Sequence, residues 1–186
     1  MTLARRIPAA LVLFRAVAGL ALPALAVGGG PAGLCAALLG LGVLSDIFDG
    51  IIARRLGCAT EALRTWDSRV DVVFWIGAVL GLHLMHPALW TATWPTIATI
   101  LAMELANHAL SFARFGREAS PHHYASKLFG LTLWALLTQL YLTGTPGPLL
   151  WLALAVGVIS QLEAAAITLR LTTWRCDVPS VWSLRR

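Results

Sequence analysis

The chain has 186 residues, 58% hydrophobic and only 12% charged, with a formal net charge of +5. Charged residues reach about 25% in ordinary soluble domains, so this composition excludes a soluble helical domain and describes a polytopic membrane protein. The basic excess suits an anionic membrane surface and forms no separate domain, which leaves no support for nucleic-acid binding.

Six apolar segments of spanning length follow one another. The first runs from about Ile7 to Val27 and ends in Gly28, Gly29, Gly30 and Pro31. It is long, contains Arg15 and precedes five more, which argues against a cleavable signal peptide. The second runs from about Gly33 to Leu56, and its last turns carry Asp46, Asp49 and Arg54. The third runs from about Asp67 to Leu84, the fourth from about Trp94 to Phe112, and the fifth from about Lys127 to Thr143. The turn from Gly144 to Pro148 leads to the sixth, from about Leu149 to Leu171, and a short polar tail follows. No internal repeat or long linker stands out, so residues 1–186 read as one domain. Cys35, Cys58 and Cys176 have neither disulfide nor zinc spacing.

Charge placement predicts the topology. The 14 Lys and Arg fall in four places: Arg5, Arg6 and Arg15; Arg54, Arg55, Arg64 and Arg69; Arg114, Arg117 and Lys127; and Arg170, Arg175, Arg185 and Arg186. The other three connections hold no charged residue. With six spans, all four places lie on one side, and the positive-inside rule makes that side cytoplasmic. Trp90, Trp94 and Trp151 belong near the opposite interface, and Trp66 and Trp174 near the cytoplasmic one. The expectation is an all-α integral membrane protein of six transmembrane helices with N- and C-termini cytoplasmic.

Five of the nine carboxylates lie between positions 46 and 71, four of them aspartates. Asp46 and Asp49 are three apart, and Asp67 and Asp71 four apart, so each pair shares a helical face. A charged Asp within a span costs about 2.5–3.5 kcal/mol on insertion scales. Two such charges about 4 Å apart repel by roughly 4 kcal/mol at an effective dielectric near 20. A cation must offset this, and hard oxygen donors without His or Cys suit Mg²⁺, Mn²⁺ or Ca²⁺, with two bridged ions a natural arrangement. Gly50 and Ala53 lie on the stripe of Asp46 and Asp49, and Arg54 at its edge could hold a phosphate bidentately. Alone, Gly50 or Ala53 reads as helix packing. With the carboxylates and Arg54 they read as a pyrophosphate site.

The stretch resembles the CDP-alcohol phosphatidyltransferases, whose pattern is D-x2-D-G-x2-A-R-x8-G-x3-D-x3-D. Asp46, Asp49, Gly50, Ala53, Arg54, Asp67 and Asp71 match it in identity and spacing, and Leu63 stands where the second glycine belongs. At roughly 5–8% usage per residue type, seven such matches arise by chance with a probability on the order of 10⁻⁹ to 10⁻⁸. The opening from Ile7 to Arg15 is similar to that of bacterial phosphatidylglycerophosphate synthases, with Val12 where Thr is usual, and Thr60 matches a Thr of that branch.

The resemblance implies a CDP-linked lipid, usually CDP-diacylglycerol, whose pyrophosphate binds two divalent ions, Mg²⁺ or Mn²⁺. An alcohol attacks the phosphorus, CMP leaves, and a phosphodiester lipid forms. By position Asp46, Asp49, Asp67 and Asp71 are metal ligands, with Asp71 also the general base. Asp46, Gly50, Ala53, Arg54 and Thr60 are then the CDP site. A phosphorylated acceptor needs cations, and the candidates are Arg15, Arg114, Arg117 and Lys127. Glycerol 3-phosphate is the first acceptor to consider, with inositol phosphate, serine or another polyol open. The resemblance further implies a homodimer in membrane lipid, in the bacterial inner membrane, with the site facing the cytoplasm.

Some positions depart from the pattern. Leu63 implies a reshaped cytidine pocket or weaker nucleotide binding. Val72 follows the last Asp where a Lys is usual, Met103-Glu104 replaces an Arg-Glu pair, and Ser126 replaces the Gly of a Gly-Lys motif near Lys127 and Gly130. Two rivals remain open: a catalytically degenerate member and a small ion-coupled transporter. Glu104, Asn107 and Glu163 are either functional or inter-helix hydrogen-bonding groups. His122 and His123 read as solvated loop residues, and His83, His86 and His108 as interface or packing residues.

Overall fold

The computed structural model describes residues 7–57, 60–117, 123–175 and 178–184. Six helices follow one another: α1 Ile7–Val27, α2 Ala32–Arg55, α3 Glu61–Met85, α4 Trp90–Phe115, α5 Tyr124–Thr143 and α6 Pro148–Arg170. Single 3-10 turns occupy Pro87–Leu89 and Val181–Ser183, and no strand occurs among the described residues. The chain is an all-helical integral membrane protein. Five of the helices are long and apolar enough to cross a membrane. The remaining helix, α5, falls outside that group and carries Ser126, Lys127, Thr132 and Gln139. Leu20, Ile76, Leu105 and Trp151 are exposed, as side chains against lipid should be. Trp90 and Trp94 are also exposed, with ring centroids 5.2 Å apart. Arg5, Arg6, Arg185, Arg186, Cys58, Cys176 and His122 lie outside the described residues.

Several helices outrun their apolar segments. Hydropathy marks only what sits in hydrocarbon, whereas a helix continues until something caps or breaks it. Thus α3 starts at Glu61 and not Asp67, because Thr60 caps it: Leu63 N–H donates to Thr60 Oγ1 at 3.2 Å. At the other end of α4, Gly116 adopts φ +64° after Phe115, the left-handed conformation that closes many helices.

The described residues form two compact units. The first comprises α1, α2, α3, the Pro87–Leu89 turn and Leu137–Thr145. Here α1 and α3 run parallel and almost touch. A Cβ on Gly77 would overlap the Gly19 carbonyl, and a Cβ on Gly19 would lie 2.7 Å from Phe74 Cα. A turn further on, Gly81 meets the backbone of Leu22, and the Tyr141 hydroxyl donates to the Ala78 carbonyl at 2.8 Å. Small residues thus replace the hydrophobic effect, which does not act between helices in lipid. The buried Phe74 ring fills the space that Gly42 of α2 leaves.

The second unit comprises Trp90–Leu136 and the chain from Pro146 onward. Gly157 of α6 gives room to Ile100 and Phe129. Beside it, Asn107 Nδ2 donates to both the backbone O and the Oε1 of Gln161, at 3.0 and 2.6 Å, and Gln161 Nε2 donates to Glu104. Glu104 and Asn107 are therefore inter-helix hydrogen-bonding groups. Glu163 anchors the tail, accepting from Ser180 Oγ at 2.7 Å and Val181 N–H at 3.3 Å. Val178 packs with Ile167 and Leu171 beneath it. His123 is not a solvated loop residue: it is 1% exposed, accepts from Ser126 N–H at 3.2 Å at the start of α5, and lies 3.4 Å from Glu163. Its long-range neighbour is Glu163 of α6, which no local sequence signal announces. Gln161→Ala is expected to cost about 1–3 kcal/mol, because it takes the side-chain acceptor from the buried Asn107 amide. The thermal midpoint of the detergent-solubilised protein reads this out, and an unchanged midpoint would remove the network from the account.

Candidate active site

The glycine contact between α1 and α3 sets a register. Arg15 lies four residues before Gly19, on the same face of α1, and Asp71 lies six before Gly77 on α3. Parallel packing therefore brings Arg15 to the level of Asp67 and Asp71. The returning α2 brings Asp46 and Asp49 to that level from the opposite direction. At about 1.5 Å per residue, all five lie roughly 9–15 Å along their helices from Ile7, Arg55 or Glu61. The site sits one to three turns inside the helix ends, not in a loop.

Arg15 occupies its centre. Its guanidinium pairs with Asp46 and Asp67, and approaches Asp49 Oδ2 at 3.2 Å and Asp71 Oδ1 at 3.0 Å. Arg15 is 1% exposed, and Asp49 is also buried. Asp46, Asp67 and Asp71 are partly open, so the group is reachable from one side. Four carboxylates around one guanidinium leave excess negative charge when ionised. In a site of low dielectric that excess calls for further cations.

The donor set fits a divalent ion. Asp46, Asp49 and Asp67 each offer an oxygen, and the three oxygens lie within 4.8 Å of one another. Asp49 Oδ2 is buried and accepts no hydrogen bond. An acceptor left in that state inside a protein is costly unless a cation uses it. Carboxylate oxygens without His or Cys are the donors that Mg²⁺ and Mn²⁺ prefer.

Gly50, Ala53 and Arg54 flank this group on α2. Ala53 is buried, and Arg54 folds back so that a Cβ on Gly50 would lie 3.4 Å from its Nη1. Gly50 thus leaves a shallow place beneath a guanidinium. Thr60 caps α3 with its hydroxyl, and Leu63 lies in the first turn of that helix, four residues before Asp67.

The remaining basic candidates lie in the second unit. Arg114 Nη2 donates to the Leu171 carbonyl at the end of α6, at 3.1 Å. The Arg117 guanidinium lies 5.1 Å from the Trp174 ring centroid, and Lys127 Nζ 5.8 Å from that of Tyr124. Arg15 is the residue whose place sequence reasoning missed. It was grouped with these cations, yet it sits among the carboxylates. The available signal was its spacing from Gly19, one turn along a helix that contains no other charge.

No curated protein and no solved structure gives a significant match to the chain. A profile of the CDP-alcohol phosphatidyltransferases matches residues 5–159, which includes all of α1 to α5, both aspartate pairs and Arg15. With the paired aspartates converging inside a bundle of apolar helices and most of the chain matched, this protein belongs to the CDP-alcohol phosphatidyltransferase family.

Proposed function

We propose that the chain transfers a phosphatidyl group from CDP-diacylglycerol to glycerol 3-phosphate, releasing CMP, as a step of phospholipid synthesis. Family membership carries the coarser statement, transfer from a CDP-alcohol to an alcohol. The observation that supports an active site here is the convergence of four aspartates from two helices at one depth. The site faces the cytoplasm of a bacterial inner membrane, on the reading of the charged connections, and the whole chain works as one domain within a homodimer.

Asp46, Asp49, Asp67 and Asp71 would hold two divalent ions, Mg²⁺ or Mn²⁺. When bound, such ions neutralise pyrophosphate charge and the charge that develops on the leaving phosphate. Gly50 and Ala53 let the nucleotide approach the α2 backbone, and Arg54 grips a phosphate beside Asp46 and Thr60. Arg114, Arg117 and Lys127 draw in the phosphorylated acceptor. Asp71 is the base. The acceptor oxygen bonds to the phosphorus that carries diacylglycerol, the bond from that phosphorus to the CMP oxygen breaks, and the hydroxyl proton passes to Asp71. The protein contributes alignment and charge placement, which is what phosphoryl transfer most needs.

The test is CMP release from CDP-diacylglycerol by purified protein with Mg²⁺ or Mn²⁺, over a panel of alcohols. Release with glycerol 3-phosphate alone supports the full reading. Release with another alcohol reassigns the acceptor, and no release with any acceptor supports a degenerate member. Leu63 belongs to the same test. Leu63→Gly is expected to lower KM for the CDP-lipid several-fold by opening the first turn of α3. An unchanged KM would mean that Leu63 does not border the nucleotide.

A further inference from the structure

Arg15 does more than balance charge. Asp46, Asp49 and Asp67, the three aspartates that converge well enough for a metal ion, each place an oxygen against its guanidinium. Among these carboxylates, Asp49 Oδ2 is buried without a hydrogen bond and has Arg15 Nη2 as its cationic neighbour at 3.2 Å. An oxygen facing the middle of this group cannot serve both a guanidinium there and a divalent ion there. We propose that Arg15 is the resident counter-cation of the metal-free site, and that divalent metal must displace its guanidinium to bind. This rests on the reading of these aspartates as metal ligands.

Two further observations support the exchange. The backbone of Arg15 cannot retreat, because Gly19, one turn on, is locked against Gly77 and Phe74. Only the side chain can leave, and it is long and flexible. The carboxylates also need a cation at every stage, since four of them cannot stay together in apolar surroundings without one. A tethered arginine keeps the site assembled until metal arrives. Once displaced, the guanidinium remains beside the site as a fork suited to phosphate oxygens. Metal binding then frees a ligand for the anionic substrate, and by linkage the substrate tightens metal binding.

The experiment is a Mn²⁺ titration of detergent-solubilised full-length protein without lipid substrate, followed by the electron paramagnetic resonance signal of free Mn²⁺. Wild type, Asp67→Asn, Arg15→Gln and Arg15→Lys are compared. Asp67→Asn should weaken binding at least tenfold. Arg15→Gln should bind Mn²⁺ at least tenfold more tightly than wild type. Its thermal midpoint should be lower without metal and rise more when metal is added. Arg15→Lys keeps the charge but loses the fork, so it should bind about threefold more tightly, and it carries the test if Arg15→Gln does not fold. Equal or weaker Mn²⁺ binding by the Arg15 variants, with the Asp67→Asn loss intact, overturns the exchange alone. Unaltered binding by Asp67→Asn overturns the metal-site reading and the exchange together.

Discussion

Asp71→Asn is expected to lower the rate of CMP release by about 10²- to 10⁴-fold, the range that a positioned general base contributes. The substitution keeps the shape of the side chain and removes its ability to take a proton. KM for the CDP-lipid should change little if Asp71 acts mainly on the acceptor hydroxyl. Asp71 also stands apart from the three aspartates that converge most closely, so Mn²⁺ binding should survive in part. Asp67→Asn should differ, losing metal affinity together with rate. The two variants compared at saturating metal separate a proton acceptor from a ligand. If Asp71→Asn keeps more than a tenth of the wild-type rate, the base lies elsewhere.

The second large effect comes from a residue that touches no ligand. Gly77→Ala adds one carbon where α1 and α3 nearly touch, and the atom it meets is backbone, which cannot rotate away. Overpacking costs about 1–3 kcal/mol in ordinary cores, and occasionally more. A backbone collision belongs at the upper end. Gly33→Ala is the matched control, because a Cβ there meets nothing within 4 Å. In a helix that control change should stabilise by up to about 1 kcal/mol. The two variants should therefore move the thermal midpoint in opposite directions. Gly77→Ala should also weaken Mn²⁺ binding, since shifting α3 carries Asp67 and Asp71 out of register with Asp46 and Asp49 of α2. A normal midpoint for Gly77→Ala would mean that the helices can part at no cost.

The bundle was legible because apolar length is a strong signal in lipid, and the aspartate pairs because three- and four-residue spacings survive translation into a helix. The ends of α3 and α4 were not, because a cap such as Thr60 extends a helix past the apolar region that hydropathy detects. His123 was misread because its neighbour Glu163 lies far away in the chain. Arg15 could be seen as a charge inside a span but not assigned a partner. Its partners depend on which helices pack in parallel, and that follows from glycines at positions 19 and 77 that look ordinary one at a time. Arg114 at the end of α4 and Arg117 just after it show another difficulty: charge announces them, but not that Arg114 donates to the Leu171 carbonyl or that Arg117 lies over Trp174.

The carboxylates lie about 9–15 Å along their helices, counted at 1.5 Å per residue. That depth bears on a competition every transferase of this kind faces. Water is itself a nucleophile and is always in excess over the intended alcohol. A group that enters between the helices, past the open sides of Asp46, Asp67 and Asp71 to the buried Asp49 and Arg15, sheds part of its hydration, and bulk water makes the same entry without compensating contacts. Recessing the reactive phosphorus therefore tilts the outcome toward a new phosphodiester and away from wasteful hydrolysis of an activated lipid.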